Sequence, residues 1–177
     1  MILPETAAPR HLTCSSVRSS RLRPLATDPD PLNTSTANDP VTGRLDITVQ
    51  AKPGDTPYCN KITVKLRTGT GANAFTDAPN DITTAVIGGS APDQGGGWTA
   101  RPSTEGTWRV FEFTPARPPQ FKDWSITLVI SRILINETPG NADIRIIESS
   151  SPTNSDYTAK TTDTTLTKYP NEFGSSH

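Results

Sequence analysis

The stretch RLDITVQA, residues 44–51, alternates polar and apolar side chains without a break. Successive side chains of a β-strand point to opposite faces, so a period of two predicts a strand with one buried face. The stretch 58–67 repeats the pattern, because Ile62, Val64 and Leu66 alternate with polar residues. We therefore expect both stretches to form strands that turn one face toward a core.

Turn-forming residues separate further apolar or threonine-rich stretches, which are 83–87, 98–101, 106–114, 123–136, 142–148 and 157–166. The apolar phase of the longest stretch slips after Ser131-Arg132, and its many β-branched residues favour a long bent strand over a helix. Short strands separated by turn signals predict an all-β fold, an Ig-like antiparallel β-sandwich of seven or eight strands with an extended N-terminal arm.

The chain divides into three expected parts. Residues 1–40 are rich in Pro, Ser, Thr and Asp and predict an extended or disordered arm or linker. Residues 41–169 form the sandwich, and 170–177 form a flexible tail that is consistent with an expression tag. The first 27 residues carry an excess of basic side chains, namely Arg10, Arg18, Arg21 and Arg23. They belong either to a solvated tail or to an arm that binds an acidic partner surface.

Charge and composition narrow the classes of function. The 177 residues carry a formal net charge of -1, which gives the whole molecule no bias toward nucleic acid or anionic lipid. No stretch approaches the roughly 20 apolar residues of a membrane-spanning helix. The first residues lack a basic region followed by an apolar stretch, so no signal peptide is visible and the default location is the cytoplasm.

Residues suited to catalysis are sparse. Nucleophilic catalysis usually needs a histidine base, and the two histidines, His11 and His177, lie in the expected terminal segments. Most carboxylates occupy turns or polar strand positions, and no two of them are spaced in a way that indicates a catalytic acid–base pair. We therefore expect no enzyme and no cofactor.

The sequence also gives little indication of a metal site or a disulfide. Two cysteines and two histidines without paired spacing disfavour zinc, and no metal site is predicted. Oxygen ligands for calcium exist in two loops, 28–39 and 77–81, but Asp and Asn are also the ordinary residues of turns. Cys14 and Cys59 allow one disulfide, although the default is two thiols, with Cys59 in the core.

The three tryptophans could be either core residues or ligand-binding residues. Trp108 and Trp124 alternate with apolar residues and are expected in the core. Trp98 follows three glycines, so it is expected either in the core or near the surface, where it could stack on a sugar ring. The predicted carbohydrate site combines Trp98 with polar neighbours, which are Asp93, Gln94 and Arg101.

Four segments resemble modules of uncharacterised bacterial β-sandwich proteins of unknown function. The segments are YCNKITV at 58–64, Trp108 with FEFTP at 111–115, ILIN at 133–136 and IRIIE at 144–148. The similarity covers residues 44–170 and rests on strand patterns. It implies an Ig-like sandwich and a bacterial source, and it implies no activity and no site residues.

These observations rank three functions. The first is a non-catalytic module for structural assembly or protein–protein interaction, with a protein partner or a second copy bound through the arm. The second is a carbohydrate-binding module built on Trp98. The third, a membrane-active β-sandwich protein, rests only on the amphipathic stretch 123–136.

Overall fold

Ten β-strands occur in the computed structural model, which describes residues 25–171 and the backbone of residues 12–14. The strands are β1 (Leu12–Cys14), β2 (Leu25–Asp28), β3 (Thr42–Ala51), β4 (Tyr58–Arg67), β5 (Thr83–Ile87), β6 (Trp98–Glu105), β7 (Trp108–Pro115), β8 (Ser125–Leu134), β9 (Gly140–Ser151) and β10 (Thr158–Lys168). Short 3-10 turns at Pro79–Asp81 and Pro92–Gln94 precede β5 and β6.

The strands form two sheets. The first has the order β1-β3-β8-β5, with β2 also paired to β3, and the second has the order β10-β9-β4-β7-β6. Every pairing between strands is antiparallel. The predicted all-β antiparallel sandwich is therefore confirmed. Its eight predicted strands are present, and β1 and β2 add two from the residues before position 41.

The alternation of polar and apolar side chains over residues 44–51 places one face of β3 in the core. Leu45, Ile47 and Val49 are at most 2% exposed, and they face Phe111 and Phe113 of the second sheet within one cluster of buried side chains. Full burial of one such side chain stabilises the fold by about 1.5–3 kcal/mol relative to its exposure. A shift of one residue in β3 would turn this whole row toward water.

The predicted phase slip in the longest strand corresponds to a β-bulge. The register of β3 against β8 shifts between Gly43 and Leu45, and Arg132 on the facing strand has a φ of 61°. The extra residue returns Ile133 to the core side, where it is 2% exposed. The stretch is thus a bent central strand paired on both sides, and its apolar face packs in the core instead of offering a surface to a membrane.

Residues 25–40 were expected in the arm, and the structure packs them against the sandwich. Strand β2 pairs with β3, and the side chain of Leu32 is only 5% exposed. The backbone of Thr34 donates a hydrogen bond to the carbonyl of Tyr169 across 2.9 Å. Asn171, expected in the flexible tail, is also buried and donates through Nδ2 to Asp39. Both segments are therefore part of the folded unit up to residue 171.

Several predictions fall on residues outside the described part of the chain. These are the arginines of the proposed arm, Arg10, Arg18, Arg21 and Arg23, together with the tail beyond residue 171. Within the described residues, no helix has the length and apolar character that crossing a membrane would require.

Candidate functional site

The tryptophan predicted to stack on sugars lies in the core. Trp98 is 8% exposed, and its Nε1 donates to the carbonyl of Gln94 at 2.9 Å. Its ring centre lies 6.2 Å from that of Phe121 in a T-shaped arrangement. A Cβ atom added to Gly89 or Gly95 would lie 2.5 or 2.8 Å from the ring. Trp98 therefore has no open face for a sugar ring, and the stacking role predicted for it does not fit this packing.

The polar residues predicted to accompany Trp98 do not converge on one site. Asp93 and Gln94 lie in the 3-10 turn before β6, where the carbonyl of Gln94 is the acceptor for the indole. Arg101 pairs in register with Glu112 in β7. Because Trp98 and Arg101 are separated by three positions in a strand, their side chains point to opposite faces.

The candidate calcium ligands serve as turn and bridging groups in the structure. Asp39 accepts a hydrogen bond from Asn171, and Asn33 forms a parallel bridge with Tyr169. Asp81 ends a 3-10 turn. Among residues 25–171, no three His, Cys, Asp or Glu side chains gather in a geometry that could hold a metal ion.

Cys59 is a free, fully buried thiol. Burial is the main cause that raises its pKa to about 12, and a weaker hydrogen bond with the backbone of Lys61 opposes the shift. A thiol with so high a pKa carries almost no thiolate at neutral pH and is a poor nucleophile. The side chain of Cys14, the second cysteine of the sequence, lies outside the described residues.

The outer face of the second sheet carries a tryptophan in contact with two arginines. Register places Trp108 of β7 beside Arg67 of β4, and the Arg67 guanidinium lies 3.8 Å from the centre of the indole. Arg145 of β9 lies 5.2 Å from the same ring. Both distances fall in the range of cation–π attraction, worth about 0.5–1 kcal/mol at exposed sites. The indole is half-buried and lines a shallow cavity of about 250 Å³.

Acidic side chains hold the two arginines in place. Arg145 makes a two-pronged contact with Asp163, at 2.7 and 3.2 Å, and Arg67 lies 3.3 Å from Asp143. The hydrogen bond from Arg145 is the main cause that lowers the pKa of Asp163. We call the surface formed by these four residues and Trp108 the Trp108 face.

The sequence pattern had placed Trp108 in the core. The strand β7 holds Phe111 and Phe113 on its inward face, so Trp108, three positions before Phe111, must point outward. The charged partner Arg67 follows inward-facing Leu66 in β4 and shares the outward side. The alternation within β7 is enough to place Trp108 on the face opposite Phe111. Its contact with Arg67, however, depends on the register of β4 against β7.

A second concave surface lies at one end of the sandwich. The turn after β3 and the start of β8 border an open cleft of about 480 Å³, lined by residues 50–56 and 122–125. Trp124, also expected in the core, is only partly buried and lines this cleft. We call this surface the end cleft.

Comparisons with known proteins find only distant likenesses to solved structures. No protein-family model and no curated protein matches the chain. The solved structures that resemble it include the collagen-binding subdomain of the Enterococcus faecalis surface protein ACE, and AvmM, which catalyses macrocyclization in alchivemycin A biosynthesis.

The collagen-binding subdomain is 12% identical, with 82% of this chain and 97% of that chain covered and a TM-score of 0.43. AvmM is 9% identical, with 82% and 89% covered and a TM-score of 0.39. With both TM-scores below 0.5, neither likeness carries an argument about function. The lack of a family match agrees with the weak resemblance to uncharacterised β-sandwich modules that the strand patterns indicate.

Proposed function

We propose that this domain is a non-catalytic protein-interaction module and that its Trp108 face docks on a second copy of the chain. The observation that carries the proposal is the half-buried Trp108 ring in cation–π contact with both Arg67 and Arg145. Tryptophan and arginine are the residue types that most often carry the binding energy of protein interfaces. A half-buried indole on the outside of a sheet also leaves apolar surface that a partner can remove from water.

The rigidity of this face favours binding. Arg145 is held by Asp163, and Arg67 is held by Asp143 and by the hydroxyl of Thr107 at 2.7 Å. Side chains already fixed in one conformation lose less entropy when a partner binds them. The strand backbone beneath them adds a flat support in which neighbouring side chains project in parallel.

The charge pattern favours a second copy as the occupant. Basic and acidic side chains occur in nearly equal number on the outward positions of this sheet, namely Lys61, Lys65, Arg67, Arg101 and Arg145 with Glu105, Glu112, Asp143 and Asp163. A face of one sign would repel an identical face, whereas interleaved signs permit complementary contacts around a two-fold axis. The docking is therefore isologous, with the Trp108 face of each copy in the same interface.

Sedimentation velocity over a series of protein concentrations tests the proposal. We expect the parent chain to dimerise and Trp108→Ala and Arg145→Ala each to weaken dimerisation at least about 30-fold, the loss typical of residues that dominate an interface. Ile87→Ser is the matched control, because Ile87 is 56% exposed on the other sheet. A parent chain that stays monomeric at every concentration, or variants that dimerise like the parent, would contradict docking through this face.

A further inference from the structure

The end cleft presents an aromatic ring that is fixed from behind. Trp124 stacks on Phe121, with ring centres 4.0 Å apart and planes inclined by 24°. Its Nε1 donates to the carbonyl of Gln120 at 3.1 Å, and Phe121 itself is fully buried. The indole is therefore held in one orientation while it remains partly exposed along the cleft.

The backbone around this ring is tied to the opposite wall of the cleft. Gln120 donates through Nε2 to the carbonyl of Thr56 at 3.1 Å, and the backbone of Phe121 donates to the carbonyl of Pro57 at 2.8 Å. Asp123 has a φ of 58°, a conformation that is uncommon outside glycine and that Asp tolerates better than most residues. The two walls of the cleft are thus joined by hydrogen bonds.

Charged side chains line the same cleft as the Trp124 ring and do not pair among themselves. Lys52 and Asp55 lie on one wall, and Lys122 and Asp123 lie on the other. Within the described part of the chain, none of the four forms a salt bridge or a side-chain hydrogen bond. The Trp108 face differs in this respect, since its charges are already satisfied by one another.

We infer that the end cleft is a carbohydrate-binding site, separate from the Trp108 face, in which Trp124 stacks on a pyranose ring. The C–H bonds on one face of a pyranose are slightly positive and pack against the negative face of an indole. Sugar hydroxyls both donate and accept, so they pair with the carboxylates of Asp55 and Asp123 and with the ammonium groups of Lys52 and Lys122.

The charge balance of the cleft selects a neutral ligand. Two lysines face two aspartates, so the site attracts neither polyanions nor polycations. A few polar groups around one apolar contact is the usual composition of a small-molecule site. A neutral oligosaccharide meets both conditions, because it offers an apolar ring face and a rim of hydroxyls together.

Titration of the full chain with cellohexaose, chitohexaose and mannohexaose tests this inference, with isothermal calorimetry and tryptophan fluorescence as readouts. We expect saturable binding of at least one of the three, with a change in fluorescence. Trp124→Ala should weaken that binding at least about tenfold, through the loss of the stacked surface. Since Trp124→Ala also removes a core contact, Asp55→Ala and Lys122→Ala provide variants at turn positions, and each should weaken binding severalfold.

Trp108→Ala is the matched control, because it removes an indole from the other site. Binding of none of the three oligosaccharides would overturn the inference, as would binding that survives in all three cleft variants. Loss of binding in Trp108→Ala with the cleft variants unaffected would also overturn it. Dimerisation of the chain is measured separately, so either proposal can fail alone.

Discussion

Lys168 and Asn136 meet in the core, where the lysine Nζ donates to the carboxamide Oδ1 across 2.6 Å. The two residues are 1% and 5% exposed. Nζ also donates to the carbonyl of Thr138, and Asn136 Nδ2 donates to the carbonyls of Gly69 and Ala74 at 3.0 Å each. The pair therefore ties the end of β10 to the end of β8 and to the loop after β4.

Replacement of Asn136 by Ala should destabilise the domain by about 3 kcal/mol or more, since each buried polar group that loses its partner costs about 1–3 kcal/mol. The carbonyls of Gly69 and Ala74 lose their donor in this variant, and Lys168 loses an acceptor. Urea denaturation measures the change. Asn141→Ala is the control, because Asn141 makes a comparable hydrogen bond at the surface. An equal loss of unfolding free energy in the two variants would show that the buried hydrogen bonds of Asn136 stabilise the domain no more than a surface hydrogen bond does.

The buried ammonium of Lys168 should give stability a dependence on alkaline pH. Desolvation lowers its pKa from 10.5 to about 8. Between these values the unfolded chain binds more protons at this site than the folded protein does, so the free energy of unfolding rises with pH from about 8 to 10.5.

Lys168→Met removes this titration, so the difference in unfolding free energy between parent and variant should grow in favour of the parent across that window. Urea denaturation at several pH values measures the difference. A difference that is constant with pH would show that the ammonium keeps an ordinary pKa in the folded protein.

Glu148 should produce the opposite trend at lower pH. Burial is the main cause that raises its pKa from 4.5 to about 7, although Lys160 lies 4.0 Å away and opposes the shift. From pH 4.5 to 7 the folded protein binds more protons at this site than the unfolded chain, so its stability falls as pH rises.

Glu148→Gln keeps the shape of the side chain and removes the charge. We expect the variant to match the parent at pH 4 and to exceed its stability at pH 8 by about 3 kcal/mol, the value of a shift of this size. Thermal and urea unfolding at both pH values provide the measurement, with Glu112→Gln as the control at a more exposed ion pair. A Gln variant that is no more stable than the parent at pH 8 would refute the raised pKa.

Trp98 and Trp108 should respond differently to truncation. Trp98→Ala leaves a cavity in the core beside Phe121 and should cost about 3–5 kcal/mol. Trp108→Ala removes a half-buried ring from the surface, so its cost should be clearly smaller. Differential scanning calorimetry of the two variants compares them directly. A loss in Trp98→Ala no greater than that in Trp108→Ala would contradict the core position of Trp98.

Local periodicity was sufficient to locate the strands and to identify the inward face of those that alternate strictly, β3 and β4. The row of Leu45, Ile47 and Val49 follows from alternation alone, because a strand has only two faces and water excludes one of them. The slip after Ser131-Arg132 likewise marked the bulge, since an extra residue in a strand must shift the apolar phase. Prediction failed where a turn-rich segment packs through few apolar contacts, as with residues 25–40 and buried Leu32.

The amino-acid sequence by itself determined an all-β sandwich, its eight main strands and the core-facing side of the strands that alternate strictly, β3 and β4. Only the tertiary structure decided which residues on the outer faces and at the strand ends contact one another. Trp108 reaches Arg67 through strand register, Lys168 reaches Asn136 across 32 positions, and Trp124 reaches the turn after β3 through the packing of two walls. Alternation fixes on which face a side chain lies, but its neighbour on that face depends on how distant segments align, and no local pattern encodes that alignment.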